Sequence, residues 1–411
     1  MTIDRRTLLG GAAAVPVLGA LPWRSARAQA NTLRLGVLTD MSGTYRDGSG
    51  PGSVAAVRQA VQDSGVAGRG INVEVLQGDH QNKPDVASTI ARQWIDRDGV
   101  DVIIDVATSS CALAVHGVVK EKNRIMLNST GATADLTGSV CNPNTIHWTY
   151  DTWMLANSTG GAMVKAGGDS WFFITADYAF GHALERDTSD VIKKAGGRVI
   201  GSVRHPFPGT TDFSSFLLQA QQSRAKVVGL ANAGVDTINS VKQAAEFGLP
   251  RRQKLAVLLM IISDVHSLGL QTAQGLVLSE TFYWDLNDRT RAFANKVKGA
   301  MGGAMPSMWQ AGCYSAALHY LKAAAEMGVA QAKASGAETV TRMKAMPTDD
   351  DVFGPGSIRA DGRKIHPSYL FEVKAPGESK GPWDYYKLVR TTPAEEAWRP
   401  LNEGGCSLVR T

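Results

Sequence analysis

Little in this chain points to a membrane span, a metal or a nucleic acid. Beyond residue 28 no stretch approaches the roughly 18 uncharged apolar residues that a spanning helix needs. Four cysteines occur, Cys111, Cys141, Cys313 and Cys406, and none stands in a Cys-x-x-Cys pair, so a zinc ribbon or thioredoxin-type centre has no ligands. The eight histidines are scattered, with no i, i+4 pair for a metal, and neither His-Glu-x-x-His nor Gly-x-Ser-x-Gly occurs. A Gly-x-x-x-x-Gly-Lys-Ser/Thr phosphate loop is also missing. The glycine-rich Gly48-Ser49-Gly50-Pro51-Gly52-Ser53 fails as a dinucleotide fingerprint, because Ser53 stands where the third glycine belongs and a polar loop precedes it. Of the net charge of +5, three units come from Arg5, Arg6, Arg24 and Arg27 set against Asp4. The rest of the chain is near neutral and has no Lys/Arg run, which gives no electrostatic case for a nucleic-acid footprint.

What is present begins with an export signal. Arg5 and Arg6 precede an apolar stretch over 8–21, followed by the small-x-small sites Ala26-Arg27-Ala28 and Ala28-Gln29-Ala30. The stretch is too short to span a bilayer, so residues 1–28 read as a cleaved signal, and the mature chain starts near Gln29 or Asn31. Asp4-Arg5-Arg6-Thr7-Leu8-Leu9 resembles a twin-arginine signal, although the general secretory route fits as well. The expectation is a periplasmic protein, soluble after cleavage. A length of 411 residues suggests about two to three domains, and 44% hydrophobic with 20% charged residues is an ordinary globular balance.

Strand and helix patterns alternate. A strand at 33–38, a helix at 52–64, an alternating strand at 71–76, a helix from Asp85 to 97 and a buried strand at 100–106 come first. The same grammar restarts with strands at 171–175, 198–203 and 227–230 and helices at 181–195 and 212–222. About 30 positions separate Gly70 from Val100 and about 30 separate Gly197 from Val227, so two similar lobes are expected, each a doubly wound parallel sheet. The crossings fall near 147–152 and 276–284, and a helix over 309–327 returns to the first lobe. An Asp361-Gly362 turn is expected to join a strand near 357 to one at 369–373. The lobes are then 31–150 with about 282–360, and 151–281 with about 361–411. A cleft between lobes is where a small ligand binds.

Small polar residues cluster at the carboxyl ends of strands, where open α/β sheets bind ligands. Thr108, Ser109 and Ser110 open a helix whose hydroxyls and free N–H groups suit a carboxylate, or simply cap the helix. Gly131 would admit a ligand to the backbone and Thr133 adds a hydroxyl, with a cap again the competing account. Tyr178 and Phe180 follow the first strand of the second lobe. Asn232 and Asp236 follow its third, where Asp236 is either a cap or the anion that meets a ligand ammonium.

Taken together, residues 33–42, 105–111, 129–137, 177–181 and 230–249, the last ending in Gln243-Ala244-Ala245-Glu246-Phe247-Gly248-Leu249, resemble periplasmic solute-binding proteins of the Leu/Ile/Val-binding type. These are the receptors of ABC importers. The resemblance implies a type I periplasmic binding protein fold, an α/β architecture of two lobes joined by a three-crossing hinge that closes on its ligand. It places a carboxylate site on Thr108, Ser109, Ser110, Gly131 and Thr133, an aromatic wall on Tyr178 or Phe180, and the ammonium partner at Asp236. Phe180 stands where amino-acid receptors commonly have tyrosine, so a hydroxyl contact is missing. Trp148, Tyr150, Trp153, Tyr283 and Trp284 near the crossings would suit an aromatic acid. The implied role is capture of a branched-chain or other hydrophobic amino acid, or an aromatic acid, for an inner-membrane ABC permease, by a monomer without cofactor or metal. A sensory ectodomain of the same fold is the alternative, and an exported hydrolase is disfavoured because no nucleophile–base pair is visible.

Four cysteines allow three full pairings. Cys141 lies in a turn-rich segment before the first crossing and Cys406 in the tail at Gly404-Gly405-Cys406, while Cys111 and Cys313 read as small buried residues. A Cys141–Cys406 bond is expected, with four free thiols or a Cys111–Cys141 bond as alternatives.

Overall fold

The computed structural model describes residues 31–410, so the export signal lies outside the described residues. The first lobe is built from β1 (Thr32–Thr39), α1 (Gly50–Asp63), β2 (Asn72–Asp79), α2 (Pro84–Asp96), β3 (Val102–Asp105), α3 (Ser109–Glu121), β4 (Ile125–Asn128) and β5 (Thr145–His147). Its five strands are parallel in the order β2-β1-β3-β4-β5. The central strands β3 and β4 are buried throughout, as the apolar runs 102–105 and 125–128 require when helices cover both faces. Pro84 in the first turn starts α2, so Lys83 takes the capping position and Asp85 lies inside the first turn.

The second lobe repeats the plan with β6 (Ser170–Ala176), α4 (Ala179–Lys194), β7 (Arg198–His205), α5 (Ser214–Ser223), β8 (Val227–Ala231), α6 (Val235–Glu246) and β9 (Lys254–Val257). Its parallel sheet runs β7-β6-β8-β9, the same order as the first four strands of the other lobe. Next along the chain come α7 (Ile262–Leu268), β10 (Val277–Glu280) and the twenty-residue α8 (Met308–Met327). Sixteen residues of α8 are buried, consistent with a sequence apolar around most of its circumference, and Ser307 and Gln310 cap each other at its start.

The C-terminal region departs from expectation in two places. Asp361-Gly362 does turn a hairpin, but between the two-residue strands β11 (Ser357–Ile358) and β12 (Lys364–Ile365). β13 (Ser368–Val373) pairs instead with β10 on one side and β14 (Tyr386–Thr392) on the other, both antiparallel, because a buried strand needs partners for both backbone edges. Beyond β14, the segment expected with the second lobe returns to the first: Trp398 lies under the Arg363 guanidinium, Arg399 donates to the Ala134 carbonyl at 2.9 Å, and Cys406 is bonded to Cys141. Cys111 and Cys313 are buried thiols.

Candidate functional site

In both sheets the strand order reverses beside the first strand of the lobe, and loops on either side of that point splay apart to leave a crevice. The loop after β1 folds around the buried Asp40 carboxylate, which accepts from the Ser42, Gly43 and Tyr45 N–H groups at 3.2, 2.6 and 2.8 Å. That turn delivers the Tyr45 ring to the crevice. After β3, three non-glycine residues, Asp105, Val106 and Thr108, sit at φ of 83°, 53° and 77°. Such conformations cost about 1–3 kcal/mol each and persist only where the surroundings hold them. Here the Val106 N–H donates to the Leu38 carbonyl, the Ser129 N–H to the Asp105 carbonyl, and the Thr108 hydroxyl to Asn82. The strained turn launches α3, with Ser109 as its first residue.

From the second lobe, Tyr178 and Phe180 follow β6, and Phe207 follows β7. Tyr178 stacks on Phe207 with ring centroids 4.0 Å apart. Across the cleft, Tyr45 stacks on Phe207 at 5.8 Å and its hydroxyl is hydrogen-bonded to that of Tyr178. The Val235 N–H reaches the Thr44 carbonyl at 3.3 Å. Gly234, at φ 60°, permits this approach, since a Cβ there would lie 2.5 Å from the same oxygen. The two lobes are therefore shut on each other.

Between them is a narrow cavity whose aromatic walls leave room for about one water. Tyr45, Tyr150, Tyr178, Phe180 and Trp309 supply rings, and Thr108, Ser109 and Thr130 supply hydroxyls. Trp309 stacks against Tyr150 at 6.3 Å and meets the edge of Tyr45 at 5.9 Å. Burial drives the hydroxyls of Tyr45, Tyr150 and Tyr178 well above the usual phenol range, so all three stay protonated.

Of the residues singled out from sequence, Thr108, Ser109, Tyr150, Tyr178 and Phe180 lie on this wall. Asp236 sits just behind it: its charge acts on Tyr45 and Tyr178, and its carboxylate is 3.9 Å from His205 Nδ1, with Oδ2 making no hydrogen bond. Burial raises its pKa to about 7. The others are elsewhere. Ser110 is half-buried on α3 and does not line the cavity. Gly131 is glycine for packing, because a Cβ would come within 2.7 Å of Ala112 and 2.8 Å of Asn128. Thr133 caps a short turn by accepting from the Asp135 N–H. Asn232 ties Ser240 and Thr237 beneath the start of α6. Tyr283 and Trp284 both donate to the Trp383 carbonyl within the second lobe, and Tyr283 packs on Tyr386 at 4.8 Å. Distance along the chain from a crossing did not bring these rings into the cleft.

Sequence reading missed Tyr45, Thr130 and Trp309. Tyr45 stands in the polar loop after β1, at the carboxyl end of a strand as Thr108 does, so topology could have found it. Trp309 had no such signal, because it opens a helix remote in sequence from either sheet. Among the described residues no cluster of His, Cys, Asp and Glu could hold a metal, and no helix is long and apolar enough to cross a membrane.

A family model described as periplasmic binding protein matches residues 32–381. A periplasmic binding protein of Burkholderia mallei is 47% identical, over 93% of this chain and 100% of that one, with a TM-score of 0.89. A branched chain amino acid ABC transporter periplasmic ligand-binding protein of Burkholderia xenovorans is 40% identical, over 92% and 99% of the two chains, with a TM-score of 0.79. An ABC transporter solute-binding protein of R. palustris in complex with benzoate shares the fold at 21% identity, over 88% and 97%, with a TM-score of 0.78. No curated protein matches.

Proposed function

Because the chain belongs to the periplasmic binding protein family, whose members are transport receptors and not enzymes, we propose that it captures a small carboxylate-bearing ligand between its lobes and presents it to an ABC permease in the inner membrane. The ligand is a hydrophobic amino acid, branched-chain or aromatic, or an aromatic acid. The observation that carries this reading is the closed interlobe cavity, in which five aromatic rings surround the free start of α3. Ser109 and the first N–H groups of α3 face the carboxylate, with the helix dipole adding to the hydrogen bonds. Tyr45, Tyr150, Tyr178, Phe180 and Trp309 enclose the apolar part, each ring contributing area and a preferred stacking direction. Asp236 takes an ammonium group where the ligand has one. The 40% identical relative described as a branched chain amino acid ABC transporter protein supports the amino-acid branch. The protein works as a monomer in the periplasm after removal of residues 1–28.

A thermal-shift screen against amino acids and aromatic carboxylic acids tests the proposal. Binding of a ligand at a hundredfold its Kd stabilises by about 2.7 kcal/mol, which the screen resolves. A panel in which no carboxylate raises the melting temperature, while uncharged solutes do, would refute it.

A further inference from the structure

The hydroxyls on the cavity wall are not equivalent, because some have already given away their protons. Asp40 accepts three backbone N–H groups and also the Asn82 amide, whose Nδ2 lies 2.7 Å from Asp40 Oδ2. With its NH2 turned to a carboxylate, the Asn82 amide presents its oxygen to Thr108, and the Thr108 hydroxyl donates to it. A hydroxyl has one proton, so what Thr108 Oγ1 has left to offer a ligand is lone pairs, which the Cys111 thiol also approaches. Thr130 is committed in the same way. Its hydroxyl donates to the buried carboxylate of Asp105, which is also approached by the Thr39 and Ser53 hydroxyls. Ser109 is the opposite case: its Oγ accepts the Ala132 and Thr133 N–H groups, both at 3.1 Å, and its proton is unspent. The Trp309 Nε1–H, buried on the same wall, makes no hydrogen bond although it faces the Tyr150 hydroxyl.

We propose that Thr108 and Thr130 are acceptor-only specificity residues, fixed in that role by the Asp40–Asn82 and Asp105 carboxylate networks behind them, and that the ligand carries an N–H or O–H donor in addition to its carboxylate. Ser109 is the complementary donor. This rests on the carboxylate-receptor reading and adds a requirement to it: a ligand whose only polar group is a carboxylate leaves the Thr108 lone pairs unpaired, and an unpaired buried acceptor is costly.

The test is calorimetry on the mature protein and a Thr108→Val variant with two matched pairs of probes, L-phenylalanine with 3-phenylpropanoate and 4-hydroxybenzoate with benzoate. In a pair that binds, Thr108→Val lowers affinity for the donor-bearing member about tenfold and changes the other by less than about twofold. Thr108→Ser, which keeps the acceptor, retains the wild-type preference. Equal losses for both members, or none for either, would overturn the assignment, the first outcome because Thr108 would then be donating to the carboxylate. If Thr108→Val does not fold, Asn82→Ala answers the same question by releasing the Thr108 proton. The preference for the donor-bearing probe should then collapse, and an unchanged preference overturns the proposal. L-leucine with 4-methylpentanoate serves as a third pair, and absence of binding by all six probes to the unaltered protein would instead refute the carboxylate-receptor reading beneath it.

Discussion

Removing the Cys141–Cys406 bond tests how the C-terminal tail is held to the first lobe. The bond closes a loop of 265 residues, for which chain entropy alone gives a ceiling of about 5–6 kcal/mol at 25 °C. The native contacts of the tail reduce the realised figure. Trp398 stays buried under Arg363, whose guanidinium is 4.4 Å from the ring centre, and Arg399 holds the Ala134 carbonyl. These contacts also form without the disulfide, so the reduced tail remains partly docked and the expected loss is about 2–5 kcal/mol. For a chain of this size that amounts to a melting temperature lower by roughly 2–6 °C. The assay is scanning calorimetry of the oxidised protein against a Cys141→Ser/Cys406→Ser double variant, with reductant added to each. Reductant should lower the first melting temperature towards the second and leave the second unmoved. Equal melting temperatures for oxidised and double-variant protein would refute the reasoning, as would peptide mapping that finds free thiols at both positions in exported material.

Three further outcomes follow from the cleft and the core. Asp236→Ala should weaken L-phenylalanine about ten- to a hundredfold while sparing 3-phenylpropanoate; and because burial places Asp236 near pH 7, calorimetry on the unaltered protein should show amine-bearing ligands binding less tightly as pH falls below about 7. Tyr45→Phe removes the hydroxyl bond across the lobes at a cost of about 1 kcal/mol, so ligand affinity should fall roughly fivefold, and small-angle scattering should show a larger radius of gyration at subsaturating ligand than for the unaltered protein. Asp264 is buried, and burial raises its pKa to about 7, so the folded state keeps a proton that the unfolded state releases between about pH 4 and 7. Stability contributed by the neutral acid is therefore present at low pH and lost as pH rises through that window, and Asp264→Asn should flatten the stability–pH profile measured by denaturant titration at pH 4 to 8.

The two-lobe α/β plan was legible because strand and helix periods differ and because the alternation is written twice. The apolar runs at 102–105 and 227–231 can be buried only as central strands, and their ends name the loops that face a ligand. That rule pointed to Thr108, Ser109, Tyr178 and Phe180, which line the cavity. Gly131, Thr133 and Asn232 obey the same rule and are nonetheless spent on packing and caps, since a strand-end loop must satisfy its own backbone before it can serve a ligand.

Local pattern thus determined the elements, their repetition, the export signal as an expectation and the site at the level of loops, because periodicity and turn chemistry act over a few residues. Only the tertiary structure decided which rings meet across the cleft, where the tail docks, and which hydroxyls still hold a proton to give. Tyr45 and Phe207 are far apart in the chain, as are Asn82 and Thr108, and each pair is joined by the packing of whole lobes or sheet layers. Hydrogen-bond commitment is a property of such neighbourhoods: Thr108 is a donor or an acceptor according to what stands behind it, and nothing adjacent to it in sequence carries that information.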